Sequence, residues 1–344
     1  MKVNQFPDRI IEIENEEYLY FGGTAYLGLP THPEFQKLLI KNILQWGTAY
    51  GSSRNANIQL TAYENGERFL ANFIRAEVAL TLSSGMLAGK LVIEAVTPET
   101  DCFFHFPDTH TAIKVPKSLP VYIGNQLNPR LLDAATEKIT ILTDSVPSFH
   151  VKPIDLTILN SIPSNKEITV IIDESHSLGI LGTNGSGTYS TINFPTIKRK
   201  IMVASLGKAF GLTGGLIASD SEFINQIMTS DTFASSAGMN PAFVQTMADA
   251  SALYLQQHQK LKDNLNYIDT HLIKNTSIHF DPNYPLIYIG IEGINAVFIA
   301  NKIIVTNFKY PNRDAKDLNR IVITANHEKE DLDKIIRLLN QYQF

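Results

Sequence analysis

The sequence predicts an α/β protein built on a mostly parallel sheet with helices on both faces. Three observations predict it. Apolar runs of strand length recur along the chain, separated by segments of helical periodicity. Those runs are near-continuous rather than alternating, as strands covered on both faces are. Small or polar residues directly follow several of them, at the carboxyl ends of strands where such sheets bind ligands. The 344 residues, 44% apolar and 18% charged, supply ample core for one large or two unequal domains.

Ile10, Ile11 and Ile13, then Tyr18 to Phe21, then Gly22-Gly23 read as strand followed by turn. A helix is expected from His32-Pro33 to Trp46, with Phe35, Leu38, Leu39, Ile43 and Leu44 at helical spacing. The loop Tyr50 to Asn55 leads to a second helix from about Thr61 to Phe73. Strands are then expected at Val78–Leu82, Cys102–Phe106, Val121–Ile123, Lys138–Leu142, Ile168–Ile172, Ile201–Ala204 and Leu216–Ala218, with a helix opening at Gly85. One long helical pattern runs from Pro241 to Ile273. A separate α/β piece follows, with strands at His279-Phe280, Leu286–Ile289, Ile303–Val305 and Arg320–Thr324 and an amphipathic helix from Glu328 to Leu339. The expected division is an N-terminal segment 1–30, a large domain 31–255 and a smaller C-terminal domain 256–344.

A net charge of −5 gives no case for nucleic acid or an anionic membrane, so any phosphate site must be local. Cys102 is the only cysteine, which excludes a disulfide framework and a thiolate metal cluster and fits a reducing compartment. The opening residues carry no long apolar run, so neither a signal peptide nor a membrane anchor is expected, and the location expected is the cytoplasm.

Lys208 lies just past the run Ile201–Ala204 and before Gly211, Gly214 and Gly215. Read alone it fits a solvent lysine on a strand-helix loop. It also fits an amine held bare enough to attack a carbonyl, since only the neutral form does so. Ser83-Ser84-Gly85-Met86 joins a strand to a helix; its free N–H groups suit a phosphate, and Ser84 equally suits an N-cap. Asp173 ends the run Thr169–Ile172 and needs a partner, which a protonated ring nitrogen would provide. His176 could reach the same ligand, and His110, past another strand, could stack on a flat ring or move protons. Phosphate turn, stacking histidine, acidic strand end and lysine, in that order, form the pattern of a pyridoxal-phosphate enzyme of the aspartate-aminotransferase fold, fold type I.

Longer motifs narrow this. Tyr26-Leu27-Gly28-Leu29, Gly51-Ser52-Ser53-Arg54, Ser84-Gly85-Met86-Leu87-Ala88, Asp173-Glu174-Ser175-His176-Ser177 with Gly179 and Gly182, and Ser205 to Gly211 together resemble the motifs of the α-oxoamine synthases. That resemblance runs from about Tyr20 to the C-terminus. It implies pyridoxal 5'-phosphate as cofactor, with Lys208 as its Schiff-base lysine, Asp173 on the pyridinium nitrogen, His176 on the ring hydroxyl and His110 on the ring face, these four forming the catalytic set. It implies that Ser148 lies near the ring hydroxyl, that Ser84, Gly85, Met86 and Ser205 bind phosphate, and that Arg320 clamps the amino-acid carboxylate. Ser235 or Ser236 would reach the phosphate of the other subunit, implying a homodimer with shared active sites.

The implied reaction condenses an amino acid with an acyl-coenzyme A thioester. The chain departs from the family pattern at Thr24 and Ala25, at Tyr63 where a histidine is usual, at Phe149-His150-Val151 and at Lys309 to Arg313, and the stretch before Tyr20 is shorter than the family's N-terminal helix. These departures touch the acyl and coenzyme A region. An aminotransferase or amino-acid lyase on the same scaffold would need Lys208, Asp173 and Arg320 but no thioester site. A non-catalytic homologue is the third reading.

Overall fold

The computed structural model describes residues 1–309 and 317–341. Strands β1 (Ile10–Ile13) and β2 (Glu16–Phe21) precede helices α1 (Pro33–Trp46) and α2 (Thr61–Ile74). Next come β3 (Val78–Leu82), α3 (Gly85–Val96), β4 (Cys102–His105), β5 (Leu119–Pro120), β6 (Tyr122–Ile123), β7 (Gln126–Leu127), the single turn α4 (Pro129–Leu132), β8 (Glu137–Asp144), β9 (Lys166–Asp173), β10 (Ile197–Ser205) and β11 (Gly215–Ser219). Helices α5 (Ser221–Met228), α6 (Asp231–Ser235), α7 (Pro241–Asp249) and α8 (Ser251–His271) lead to β12 (Ile278–Phe280), β13 (Leu286–Ile289), α9 (Ile294–Ala300), β14 (Ile303–Lys309), β15 (Asp317–Val322) and α10 (Lys329–Gln341).

A seven-stranded sheet runs in the order β3-β11-β10-β9-β8-β4-β5. Its strands are apolar on both faces: Ile201, Met202, Val203 and Ala204 are all buried, as are Ile168, Val170, Ile171 and Ile172. The pairs β10–β9, β9–β8 and β8–β4 are parallel, whereas β11 is antiparallel to both of its neighbours. The reason is the short connection between β10 and β11, since a parallel pair needs a crossover of a dozen residues or more. Lys208 therefore sits in a tight strand–strand loop, not on a strand–helix loop.

A six-stranded sheet runs β1-β2-β14-β15-β13-β12. The hairpin β1–β2, from the first thirty residues, joins it through a parallel pair with β14. The helical pattern expected from Pro241 to Ile273 is two helices, broken at buried Ala250. Buried Asn42 of α1 holds the end of α7 there, donating to Thr246 Oγ1 and Asp249 Oδ2 at 3.1 and 3.0 Å. The domain boundary expected at 255–256 falls inside α8.

Tyr26 to Leu29 is stitched between the two sheets. Gln257 of α8 donates to Leu27 O at 2.9 Å, and Asn326 donates to Gly28 O at 3.1 Å. Gly28 has φ +62, and a Cβ there would lie 2.2 Å from Asn326 Oδ1, so only glycine fits. Among the described residues, no helix is long and apolar enough to cross a membrane.

Candidate active site

The carboxyl ends of β8, β9 and β10 converge with the first turn of α3. Asp144 and Asp173 end β8 and β9 in direct register, so their side chains stand side by side. Asp173 Oδ1 accepts the Ser175 N–H at 2.8 Å, and Oδ2 lies 4.0 Å from Nδ1 of the His110 ring. That ring is about half exposed, with its side chain 49% accessible, so one face is free. Asp144 Oδ1 accepts the His110 backbone N–H at 2.9 Å. Burial, then repulsion from Asp173, pushes the Asp144 carboxyl up to about 8.

Lys208 lies deep in this cluster yet keeps part of its surface open. Burial lowers its amine to about 8, opposed by Asp173 and Asp144 and reinforced by Arg320. An amine titrating there is neutral far more often at physiological pH than an ordinary lysine. His176 is similarly recessed but partly open. Burial, then Lys208, Arg320 and His110, hold it well below the usual histidine range, so it is neutral. Its Nδ1 is 2.9 Å from the hydroxyl of Tyr26. Glu174 beside it is fully buried and accepts from the Ser177 hydroxyl at 2.7 Å and the Thr188 N–H at 2.7 Å, which fixes the loop after β9.

The α3 turn presses on the end of β10. A Cβ at Gly85 would lie 3.0 Å from Ser205 Cα, and one at Gly215 would lie 2.1 Å from Ser84 O. Ser84 caps α3, accepting the Leu87 N–H at 3.2 Å. Among the described residues, no acceptor faces the N–H groups of Gly85 and Met86. Ser205 N–H donates to Ser175 Oγ at 2.8 Å, which joins this turn to the Asp173 segment.

Arg320 of β15 pairs in register with Tyr288 of β13. Its charge acts on Tyr26, Tyr284 and Tyr288 and on His176 and Lys208, which puts it in the same cluster. Ser148 is half-buried, and the next residue, Phe149, donates its N–H to Tyr288 Oη at 3.1 Å. Ser235 and Ser236 lie at the end of α6. Ser235 is exposed, the Ser236 hydroxyl donates to Thr232 O, and the adjacent Ala234 O accepts from Ser53 Oγ at 2.8 Å. Arg54 is committed as well: it pairs with Glu67 at 3.0 Å and lies 3.7 Å above the ring of Tyr63. The Lys309–Arg313 segment lies, beyond its first residue, outside the described residues.

Asp144, Tyr26, Tyr284 and Tyr288 were not singled out individually in the sequence. Asp144 carried a weaker signal than Asp173, because Thr143 separates it from the apolar run that ends at Leu142. The tyrosines carried no spacing signal, because Tyr26 follows β2 while Tyr284 and Tyr288 lie at β13, far along the chain.

The sequence profile for aminotransferase class I and II matches residues 150–339. The chain belongs to the aminotransferase class I and II family. It is similar to a putative 8-amino-7-oxononanoate synthase of Rippkaea orientalis, 26% identical over 98% of this chain and 93% of the relative. It is also similar to the 8-amino-7-oxononanoate synthase of Thermoanaerobacter pseudethanolicus, 28% identical over 94% of this chain and 87% of the relative. Among solved structures, the fold matches serine palmitoyltransferase from S. paucimobilis with a TM-score of 0.81 at 17% identity, covering 99% of this chain and 91% of that one. The 8-amino-7-oxononanoate synthase from Francisella tularensis matches with a TM-score of 0.70 at 19% identity, covering 94% and 97%.

Within the family the chain is of the α-oxoamine synthase type, a transferase dependent on pyridoxal 5'-phosphate. The residues present fit that cofactor. They offer an amine of depressed pKa, a buried carboxylate at a strand end, an open histidine face, and unclaimed N–H groups at a helix start shaped by two glycines.

Proposed function

We propose that the enzyme is an acyltransferase that condenses an amino acid with an acyl-coenzyme A thioester, acting in the cytoplasm as a homodimer with shared active sites. The observation that carries this reading is the convergence of Lys208, Asp173, His110 and His176 at one set of strand ends, with Arg320 of β15 acting on Lys208 and His176, in a chain similar to 8-amino-7-oxononanoate synthases over nearly its full length.

Lys208 would hold the cofactor covalently, with Asp173 on its ring nitrogen, His110 over its ring face, and His176 and Ser148 at its ring hydroxyl. Ser84, Gly85, Met86 and Ser205 would take the phosphate, joined by Ser235 or Ser236 from the second subunit. When bound, the cofactor supplies an electron sink for negative charge at the amino acid's α-carbon. Arg320 would grip the substrate carboxylate as a planar two-pronged donor. Lys208, once released, would take the α-proton; its depressed pKa supports that role. Neutral His176 offers a hydrogen bond without adding positive charge beside Lys208 and Arg320. Overall, a bond forms between the α-carbon and the acyl carbon as the thioester C–S bond and the bond to the carboxylate break; the thiol and carbon dioxide leave, and the α-carbon takes back a proton.

The test is thiol release. Purified protein with pyridoxal 5'-phosphate is given amino acids and acyl-coenzyme A donors, and free thiol is followed. The expected result is thiol release that needs both substrates, and Lys208→Ala is expected to lose both this activity and the visible absorption of the bound cofactor. Amino-group transfer to a keto acid without any thioester would replace this reading with an aminotransferase.

A further inference from the structure

Tyr26 belongs to a motif for which the reaction itself gives no task. It is fully buried, in the stitch between the two sheets, and its hydroxyl lies 2.9 Å from Nδ1 of His176. Tyr284, also buried, interacts with the Tyr26 hydroxyl. A neutral imidazole has one N–H donor and one bare acceptor nitrogen, and whichever partner binds one nitrogen decides the state of the other. Burial raises both tyrosines, so each hydroxyl keeps its proton and can donate.

We propose that Tyr26 is a positioning residue that fixes the tautomer of His176. The Tyr284 hydroxyl donates to Tyr26, Tyr26 donates to Nδ1, and the only N–H of His176 is then at Nε2. The hydroxyl chain crosses from β13's flank to the loop after β9, so the second sheet sets the donor that the first sheet presents. The other charged or titratable groups acting on His176 are Lys208, Arg320 and His110. Lys208 and Arg320 are donors only, the His110 Nδ1 already accepts the Ala112 N–H at 3.2 Å, and the group within hydrogen-bond reach of the His176 Nδ1 is the Tyr26 hydroxyl. The functional consequence rests on His176 being a site residue as proposed above; the tautomer itself does not.

The experiment is nitrogen NMR on the full chain labelled at the histidine rings, before and after saturation with pyridoxal 5'-phosphate. The chain has nine histidines, and His176→Gln identifies the signals of interest. The wild type should show His176 as a single Nε2–H form in both states. Tyr26→Phe, which keeps the ring, should move both nitrogens toward the average of two tautomers and shift the pH profile of the bound cofactor's absorption. Tyr284→Phe should shift them less, in the same direction, and serves if Tyr26→Phe folds poorly. Unchanged His176 nitrogens in both variants, or an Nδ1–H form in the wild type, overturn the proposal. A lower melting temperature with unchanged nitrogens would make Tyr26 a packing residue only. Failure of the cofactor to bind would count against the function proposed above and leave the first NMR comparison readable.

Discussion

Asp144 and Asp173 close neighbouring parallel strands in register, and two carboxylates so placed cannot both ionise at low cost. Asp144 is the one that keeps its proton, its carboxyl raised from 3.8 to about 8. Between those values the folded chain binds a proton that the unfolded chain does not, so Asp144 costs stability progressively as pH rises from 3.8 through about 8. Asp144→Asn keeps the acceptor for the His110 N–H and removes the titration. Scanning calorimetry from about pH 5 to about pH 9 should show a smaller fall in melting temperature for the variant than for the wild type. Lys208, Asp173, His176 and His110 were legible in the sequence because each follows an apolar run that could be read as a strand. Asp144 was not, because Thr143-Asp144 made the strand look finished at Leu142, two residues before its end. The tyrosines around Arg320 reach one place only through pairing between distant strands, which no local pattern records.

At the scale of elements, two joints carry predictions. His327, after β15, stacks on Phe21 of β2 at 4.2 Å and is bonded at both nitrogens. Nε2–H donates to Tyr20 O at 3.1 Å, and Nδ1 accepts the Thr324 N–H at 2.9 Å. Protonating Nδ1 breaks the second bond, and burial, the largest cause, lowers the ring from 6.5 to about 4. The unfolded chain then binds the extra proton, so stability is lost as pH falls from 6.5 toward 4, by about 3 kcal/mol in all. Denaturant titrations across that range should show this slope, and His327→Gln should flatten it whatever its own stability. The second joint is Gly215, where an added Cβ would lie 2.1 Å from Ser84 O. Gly215→Ala must push α3's first turn off β11, and its affinity for pyridoxal 5'-phosphate, read by absorbance titration, should fall by tenfold or more, about the 1.4 kcal/mol of one lost hydrogen bond. Most strands were legible from apolar runs alone. The direction of β11 was not, because an apolar run has no sense; it follows from the length of the loop that holds Lys208. Helix α9 has no clear signature in the sequence, because Ile294–Ala300 is too short for its periodicity to stand out.

At the scale of the whole molecule, α1 and the segments after it leave large apolar side chains in water. Ile40 and Leu44 of α1, Ile58 and Met86 are 58%, 83%, 64% and 47% exposed. Met86 is also in the turn proposed for phosphate. A second copy covering these side chains is one arrangement consistent with the homodimer proposed above. Sedimentation should find a dimer, and Leu44→Glu with Ile58→Asp should yield monomers that bind pyridoxal 5'-phosphate more weakly. The six-stranded sheet has a consequence in time. Its strand β2 is made near the start of the chain, and its parallel partner β14 is made only at residues 303–309. During synthesis, β2 therefore waits with one open edge while the seven-stranded sheet is completed. The clasp that ends the wait joins residues more than three hundred positions apart: Arg9 with Asp331, and Asp8 with Asn326 at 3.0 Å. The segment carrying Tyr26 is locked only once Gln257 and Asn326 have both been made, so a shorter nascent chain holds the His176 loop without the groups that orient it.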